Sequence, residues 1–78
     1  MAQQPRITPE QLEFAIFAIE NIAADRGVSG DIAYRALAED SDILERYVIP
    51  FYDVLHTQDK EYIVRDILGI MDRNGVSL

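Results

Sequence analysis

The sequence predicts an all-α domain, a compact bundle of four helices. Apolar residues recur every three or four positions, as on one face of a helix. No segment alternates apolar and polar residues as a half-buried strand does. Residues that typically begin and end helices flank the apolar stretches. We expect helices at about 9–26, 30–39, 42–49 and 58–73, with the first and last the longest.

The first helix has the densest start signal. Thr8 and Gln11 form a capping-box pattern, and Pro9 occupies the first helical position. Gly27 should end the helix in the left-handed conformation. The apolar face is wide, so we expect this helix to be central and packed on two sides. That face is assigned to Leu12, Ala15, Ile16, Ile19, Ile22 and Ala23, with Phe14 and Phe17 widening it.

Two short helices should follow. Ser29 is the expected cap of the second helix. Its buried face is assigned to Ile32, Ala33, Ala36 and Leu37. Asp42 and Glu45 have capping-box spacing at the start of the third helix. Pro50 disfavours a helical conformation at Ile49, so the third helix should end there. Its inner face is assigned to Ile43, Leu44, Tyr47 and Val48.

Residues 51–58 are the least periodic part of the chain, and they fit either a short helical turn or an extended link. Thr57 is the expected cap of the last helix, which Asn74 and Gly75 should end. Its apolar face is assigned to Tyr62, Ile63, Ile67, Ile70 and Met71. Residues 1–7 are interpreted as a disordered lead, 8–75 as one helical domain, and 76–78 as a tail.

Composition excludes several classes of protein. The chain has 78 residues, no cysteine and a net charge of −7. A disulfide framework or a thiolate metal site is therefore excluded. The basic residues are spread singly, whereas nucleic-acid binding uses clustered Lys and Arg, so we expect no nucleic-acid partner. Neither a signal peptide nor a membrane span is apparent, and we expect a cytoplasmic protein without membrane contact.

A catalytic site is one interpretation of the only histidine. Asp53 precedes His56 by three residues, so the two side chains would face each other on a helical turn. Thr57 or Tyr52 would then be the nucleophile. We favour the simpler interpretation, in which Thr57 caps a helix and His56 orders a loop, and we expect no enzyme. The spacing of carboxylates around one histidine predicts no metal and no cofactor.

Aromatic residues are more numerous than four short helices readily bury. Tyrosine and phenylalanine are enriched at protein interfaces. We therefore expect some of these side chains to form an exposed patch that binds a protein partner or a second copy of the chain. The seven are Phe14, Phe17, Tyr34, Tyr47, Phe51, Tyr52 and Tyr62.

The stretch Tyr52-Asp53-Val54-Leu55-His56-Thr57-Gln58 resembles a motif of a bacterial family of domains of unknown function, number 3791. Residues 13–21, 29–35 and 61–67 carry the rest of the resemblance. Members often have Gly after the Thr-Gln pair, whereas this chain has Asp59, which favours a plain helix start. The resemblance implies no established activity. Members tend to lie beside genes for ADP-ribosyltransferase-like proteins, which implies an antitoxin-like or accessory partner.

The expected function is a non-enzymatic protein–protein interaction module. Its candidate contact residues are Tyr34, Arg35, Tyr52, Asp53, His56, Thr57, Gln58 and Tyr62. One alternative is a structural homodimer in which the motif is an internal latch. Another is a small enzyme that uses Asp53 and His56. The contacts of these two side chains should separate a latch from an open site.

Overall fold

The computed structural model describes residues 7–78, so nearly all of the predicted lead at 1–7 lies outside the described residues. The described part of the chain is helical and contains no strand. This confirms the all-α fold, with long first and last helices. The elements are α1 (Pro9–Arg26), α2 (Gly30–Ala38), α3 (Leu44–Val48, a turn of π-helix), α4 (Tyr52–Leu55) and α5 (Lys60–Arg73).

Helix α1 is the centre of the bundle, as predicted, because it packs against both α2 and α5. The capping box is present: Gln11 N donates to Thr8 Oγ1 at 3.1 Å, and Thr8 N donates to Gln11 Oε1 at 3.0 Å. Gly27 ends the helix with a φ of 68°, in the left-handed region where glycine has no Cβ to clash.

The buried face of α1 differs from the predicted one. It comprises Phe14, Ala15, Ala18, Ile22 and Ala23. Leu12 and Ile16, which we assigned to the buried face, are 51% and 47% exposed, so that part of the prediction was wrong. The helix is apolar on several sides, and small side chains such as Ala18 let neighbouring helices approach closely. The side of α1 that carries the alanines is therefore the one that packs against the neighbouring helices.

Helix α2 begins after Ser29, as predicted, although the Ser29 side chain makes no capping hydrogen bond. Ala33, Ala36 and Leu37 are buried, whereas Ile32 is 42% exposed and was wrongly placed in the core. Ser41 closes the end of this helix by donating from Oγ to the Ala36 carbonyl at 2.8 Å.

The third helix is shorter and wider than predicted. Asp42 and Glu45 form no capping box, and Asp42 instead pairs with Arg46 Nε at 2.8 Å. Ile49 N donates to the carbonyl of Leu44, five residues earlier, and Ile49 has helical angles of −73° and −50°. Pro50 therefore does not keep Ile49 out of the helical region, although the helix does end at Val48, beside the predicted end at Ile49.

The least periodic stretch, residues 51–58, contains a short helix, α4. Thr57 does not cap α5, contrary to the prediction. Asp59 is the cap, and its Oδ1 accepts from Tyr62 N at 2.8 Å. Tyr62 is 47% exposed, so its assignment to the buried face of the last helix was also wrong. Gly75 ends the helix region with a φ of 70°.

The core joins the inner faces of α1, α2 and α5. Single anchors from the shorter elements complete it, among them Ile43, Val48 and Leu55. Val76 and Leu78 pack partly buried against this core, so the packed domain extends into the residues that we interpreted as a tail. No helix in the described range is long and apolar enough to cross a bilayer.

Candidate interaction groove

Helix α4 presents the most distinctive side chains of the motif. Leu55 is buried and anchors this single turn to the core. The rings of Tyr52 and His56 stack with centroids 4.4 Å apart and planes 12° apart. His56 Nδ1 also lies 2.7 Å from the carbonyl oxygen of Tyr52. Because a carbonyl only accepts, Nδ1 carries the proton in this contact, and the two contacts together fix the imidazole.

Four rings form a continuous row that links α1 to α4. The buried ring of Phe14 meets Tyr52 edge-on, with centroids 5.6 Å apart and planes 71° apart. Phe14 also stacks on Phe17 at 6.1 Å. We call Phe17, Phe14, Tyr52 and His56 the aromatic row. Aromatic pairs at these separations are mutually attractive, so the row is a pre-formed surface.

An open groove of 320 Å³ runs beside the aromatic row. Two carboxylates of α1, Glu10 and Glu13, line it, and neither forms an ion pair with a residue in the range 7–78. Among residues 7–78, no lysine or arginine lines the groove. We call it the aromatic groove. Its lining residues are Glu10, Glu13, Phe14, Phe17, Tyr52, His56, Gln58 and Ile63.

The structure brings Tyr52, His56 and Gln58 together in the aromatic groove, three of the residues singled out from the sequence. Asp53 does not join them. No ion pair between Asp53 and His56 exists in the described structure, because the imidazole Nδ1 faces the Tyr52 carbonyl instead. Thr57 donates from Oγ1 to the Val54 carbonyl at 2.7 Å, a contact within the motif.

The remaining candidate residues lie outside the aromatic groove. Arg35 Nε is 3.7 Å from Glu39 Oε1 on the exposed side of α2. Tyr34 is exposed on the same helix, and Tyr62 is exposed at the start of α5. None of the candidates on α2 or at Tyr62 lines the groove.

The candidate contact residues predicted from the sequence included none on α1, although Phe14 and Phe17 belonged to the aromatic set from which an exposed patch was expected. Glu10, Glu13 and Phe17 are separated by three and four residues, which places them on one stripe of the helix. That spacing was visible in the sequence. Their proximity to Tyr52 and His56 was not, because roughly forty residues separate the two segments and only the packed fold joins them.

A second, larger groove of 770 Å³ lies between α1 and α5. It gathers three of the seven basic residues, Arg26, Lys60 and Arg65, which the sequence separates widely. Three carboxylates share its lining: Asp25, Glu61 and Asp72. The charges balance, so this groove has no net preference for an anion or a cation.

Among residues 7–78, one side chain has a clearly shifted pKa. Burial, followed by the hydrogen bond to Asp66 and its negative charge, raises the pKa of Tyr47 from 10.0 to about 12. The phenol is therefore neutral near neutral pH and serves as a hydrogen-bond donor. Among residues 7–78, no three His, Cys, Asp or Glu side chains are arranged to hold a metal ion.

The fold and groove define a small all-α protein with an acidic, aromatic recess. Residues 13–74 match the model of the family described as a protein of unknown function (DUF3791). The match covers more than half of the chain, so the chain belongs to this family, as the resemblance predicted. A search of curated proteins and a search of solved structures each gave no match.

Proposed function

We propose that this chain is a protein–protein interaction module that acts by binding, and that the aromatic groove is the centre of its contact surface. The observation that carries the proposal is the aromatic row. Phe14 is buried, yet its neighbours Phe17 and His56 remain exposed along an open groove. Rings held rigidly at a concave surface are typical anchors for a partner, because covering them removes apolar area from water.

Further exposed apolar side chains extend the surface around α4. Val54 is 60% exposed, and Phe51 and Tyr62 are each nearly half exposed. Covering these side chains with a partner removes apolar surface from water and lowers the free energy of the complex. The net charge of −7 favours a partner with a basic surface, since complementary charge speeds association.

The family resemblance supports a particular kind of partner. Members tend to lie beside genes for ADP-ribosyltransferase-like proteins, an arrangement typical of toxin–antitoxin or effector–partner pairs. We therefore propose that the product of such a neighbouring gene is the partner, and that this chain acts on it as an antitoxin-like or accessory protein in the cytoplasm.

Co-purification tests the proposal. The tagged chain should recover the neighbouring gene product when the two are co-expressed. Phe17→Ala and His56→Ala should each weaken recovery at least about tenfold, because hot-spot side chains contribute roughly 2 kcal/mol or more. Tyr34→Ala removes an exposed aromatic ring outside the groove and is the matched control. Circular dichroism should show all three variants folded.

Absence of a complex, together with unchanged activity of the neighbouring protein, would contradict the proposal. Equal loss of binding in the Tyr34→Ala control would contradict the placement of the contact surface in the groove. These two outcomes separate the existence of a partner from the location of its site.

A second candidate function, a structural homodimer with the motif as a latch, has one supporting observation. The bonds of His56 to Tyr52 and of Thr57 to Val54 lie entirely within the motif. Light scattering tests for the dimer, and a strict monomer at high concentration would contradict this candidate function. A lower Tm for His56→Ala with partner binding retained would assign the motif to the latch.

A further inference from the structure

We propose that the aromatic groove recognises an arginine side chain of the protein partner. Glu10 and Glu13 hold the guanidinium, and the aromatic row stacks against its planar face. This inference rests on the proposed function and specifies the chemistry that the partner supplies.

The carboxylates provide the first argument. Glu10 and Glu13 lie one helical turn apart on the groove rim, where like charges repel each other. The ion pairs of the described structure belong to Asp25, Glu39 and Asp42, each with an arginine neighbour. Within residues 7–78, no such neighbour serves the two groove carboxylates. A cation bound between them relieves their repulsion.

The rings provide the second argument. A cation is attracted to the face of an aromatic ring, and arginine stacks more readily than lysine because guanidinium is planar and weakly hydrated. Tyr52, His56 and Phe14 already hold one another through stacking and edge contacts. Little side-chain freedom therefore remains to be lost on binding, which favours affinity.

The size of the groove is sufficient for a single side chain. Its 320 Å³ lies near the lower end of the range for ligand pockets, roughly 300–1,000 Å³. One long side chain fits within this volume. The stem of arginine covers the exposed ring of Phe17, and its head reaches the carboxylates. An aspartate or glutamate side chain would be repelled there.

An NMR titration of the full chain tests this directly. The probe is the blocked tripeptide Gly-Arg-Gly, compared with the same peptide carrying citrulline or lysine. The arginine peptide should shift the resonances of Phe17, Tyr52 and His56 in a saturable manner. Citrulline, which is nearly the same shape but uncharged, should not. Lysine should bind about threefold or more weakly, because it lacks the planar cation.

Glu13→Gln should weaken binding of the arginine peptide about fivefold, since it removes one carboxylate contact. Glu20→Gln is the matched control, on the same helix and exposed but outside the groove. Equal binding of citrulline and arginine would overturn the inference, as would an equal loss in both glutamate variants.

Two outcomes distinguish this inference from the proposed function. If the partner complex forms but the arginine peptide leaves the groove resonances unshifted, arginine recognition is wrong and the interaction module stands. If the peptide binds at the groove but no partner complex is recovered, the chemistry of the groove stands and the proposed function fails.

Discussion

The phenol of Tyr47 donates a hydrogen bond to Oδ2 of Asp66 at 2.5 Å. This contact joins the π turn of α3 to the middle of α5. The ring of Phe51 lies 5.1 Å from that of Tyr47 and continues the contact toward α4. The Tyr47–Asp66 bond therefore stabilises the segment that leads into Tyr52 and His56.

Replacing Tyr47 with phenylalanine should lower the free energy of unfolding by about 1 kcal/mol at neutral pH, because a hydrogen bond to a charged, partly exposed carboxylate is lost. Urea denaturation measures the change. Tyr34→Phe is the control, since the Tyr34 ring is exposed on α2, and its stability should match that of the parent chain. Equal losses in the two variants would contradict the structural importance of the Tyr47–Asp66 bond.

The same bond predicts a dependence of stability on alkaline pH. The pKa of Tyr47 is raised to about 12 in the folded chain from an ordinary 10.0, so the folded state holds this proton more tightly than the unfolded state. The contribution of the Tyr47–Asp66 bond to the free energy of unfolding is complete below pH 10 and is lost as pH rises toward about 12. The Tm difference between the parent and Tyr47→Phe should therefore narrow above pH 10. A Tm difference that stays constant above pH 10 would contradict a stabilising role for the protonated Tyr47 phenol.

Thr57, the predicted cap of α5, and Asp59, the observed cap, should differ in their effect on stability. Asp59→Ala removes the carboxylate that accepts from Tyr62 N and should lower the free energy of unfolding by about 1 kcal/mol. Thr57→Ala removes only an exposed local bond to the Val54 carbonyl and should change it by less than about 0.5 kcal/mol. Urea denaturation of both variants, with Asp59→Asn as a cap-preserving control, gives the comparison. A larger loss for Thr57→Ala would restore the original prediction.

Two glycines should respond oppositely to alanine. A Cβ at Gly69, inside α5, would meet the Arg73 side chain at an ordinary 3.6 Å, so Gly69→Ala should stabilise the chain by about 0.5–1 kcal/mol through helix propensity. Gly75 has a φ of 70°, and Gly75→Ala should destabilise it by about 1 kcal/mol. Thermal denaturation measures both. Destabilisation by Gly69→Ala would indicate that the groove between α1 and α5 has no room for a methyl group.

Local chemistry made parts of the fold predictable. The capping box of Thr8, the left-handed conformation of Gly27 and the end of α5 at Asn74 depend on residues within one turn, and all three were predicted correctly. Asp59 and Thr57 show the limit of such reasoning. Both are suitable caps near one helix start, and the choice depends on where α4 ends.

The groove was only half visible in the sequence. Three residues of the motif around His56, which the sequence analysis singled out, line the groove. Its other half comes from Glu10, Glu13 and Phe17. These became part of the site only because Phe14, one residue beyond Glu13, is buried against Tyr52. Such long-range packing decides which apolar side of α1 faces inward, and periodicity alone does not.

Two isoleucines of α1, Ile16 and Ile22, test which side of this helix is buried. Ile16 and Ile22 were assigned to one buried face, yet Ile22 is fully buried and Ile16 is 47% exposed. Ile22→Val removes a methyl group from the core and should lower the free energy of unfolding by about 0.5–1.5 kcal/mol. Ile16→Val removes the same methyl group where water already reaches it and should change stability by less than about 0.5 kcal/mol. Urea denaturation compares them on the same helix, and equal losses would mean that a partner or second copy buries Ile16 in solution.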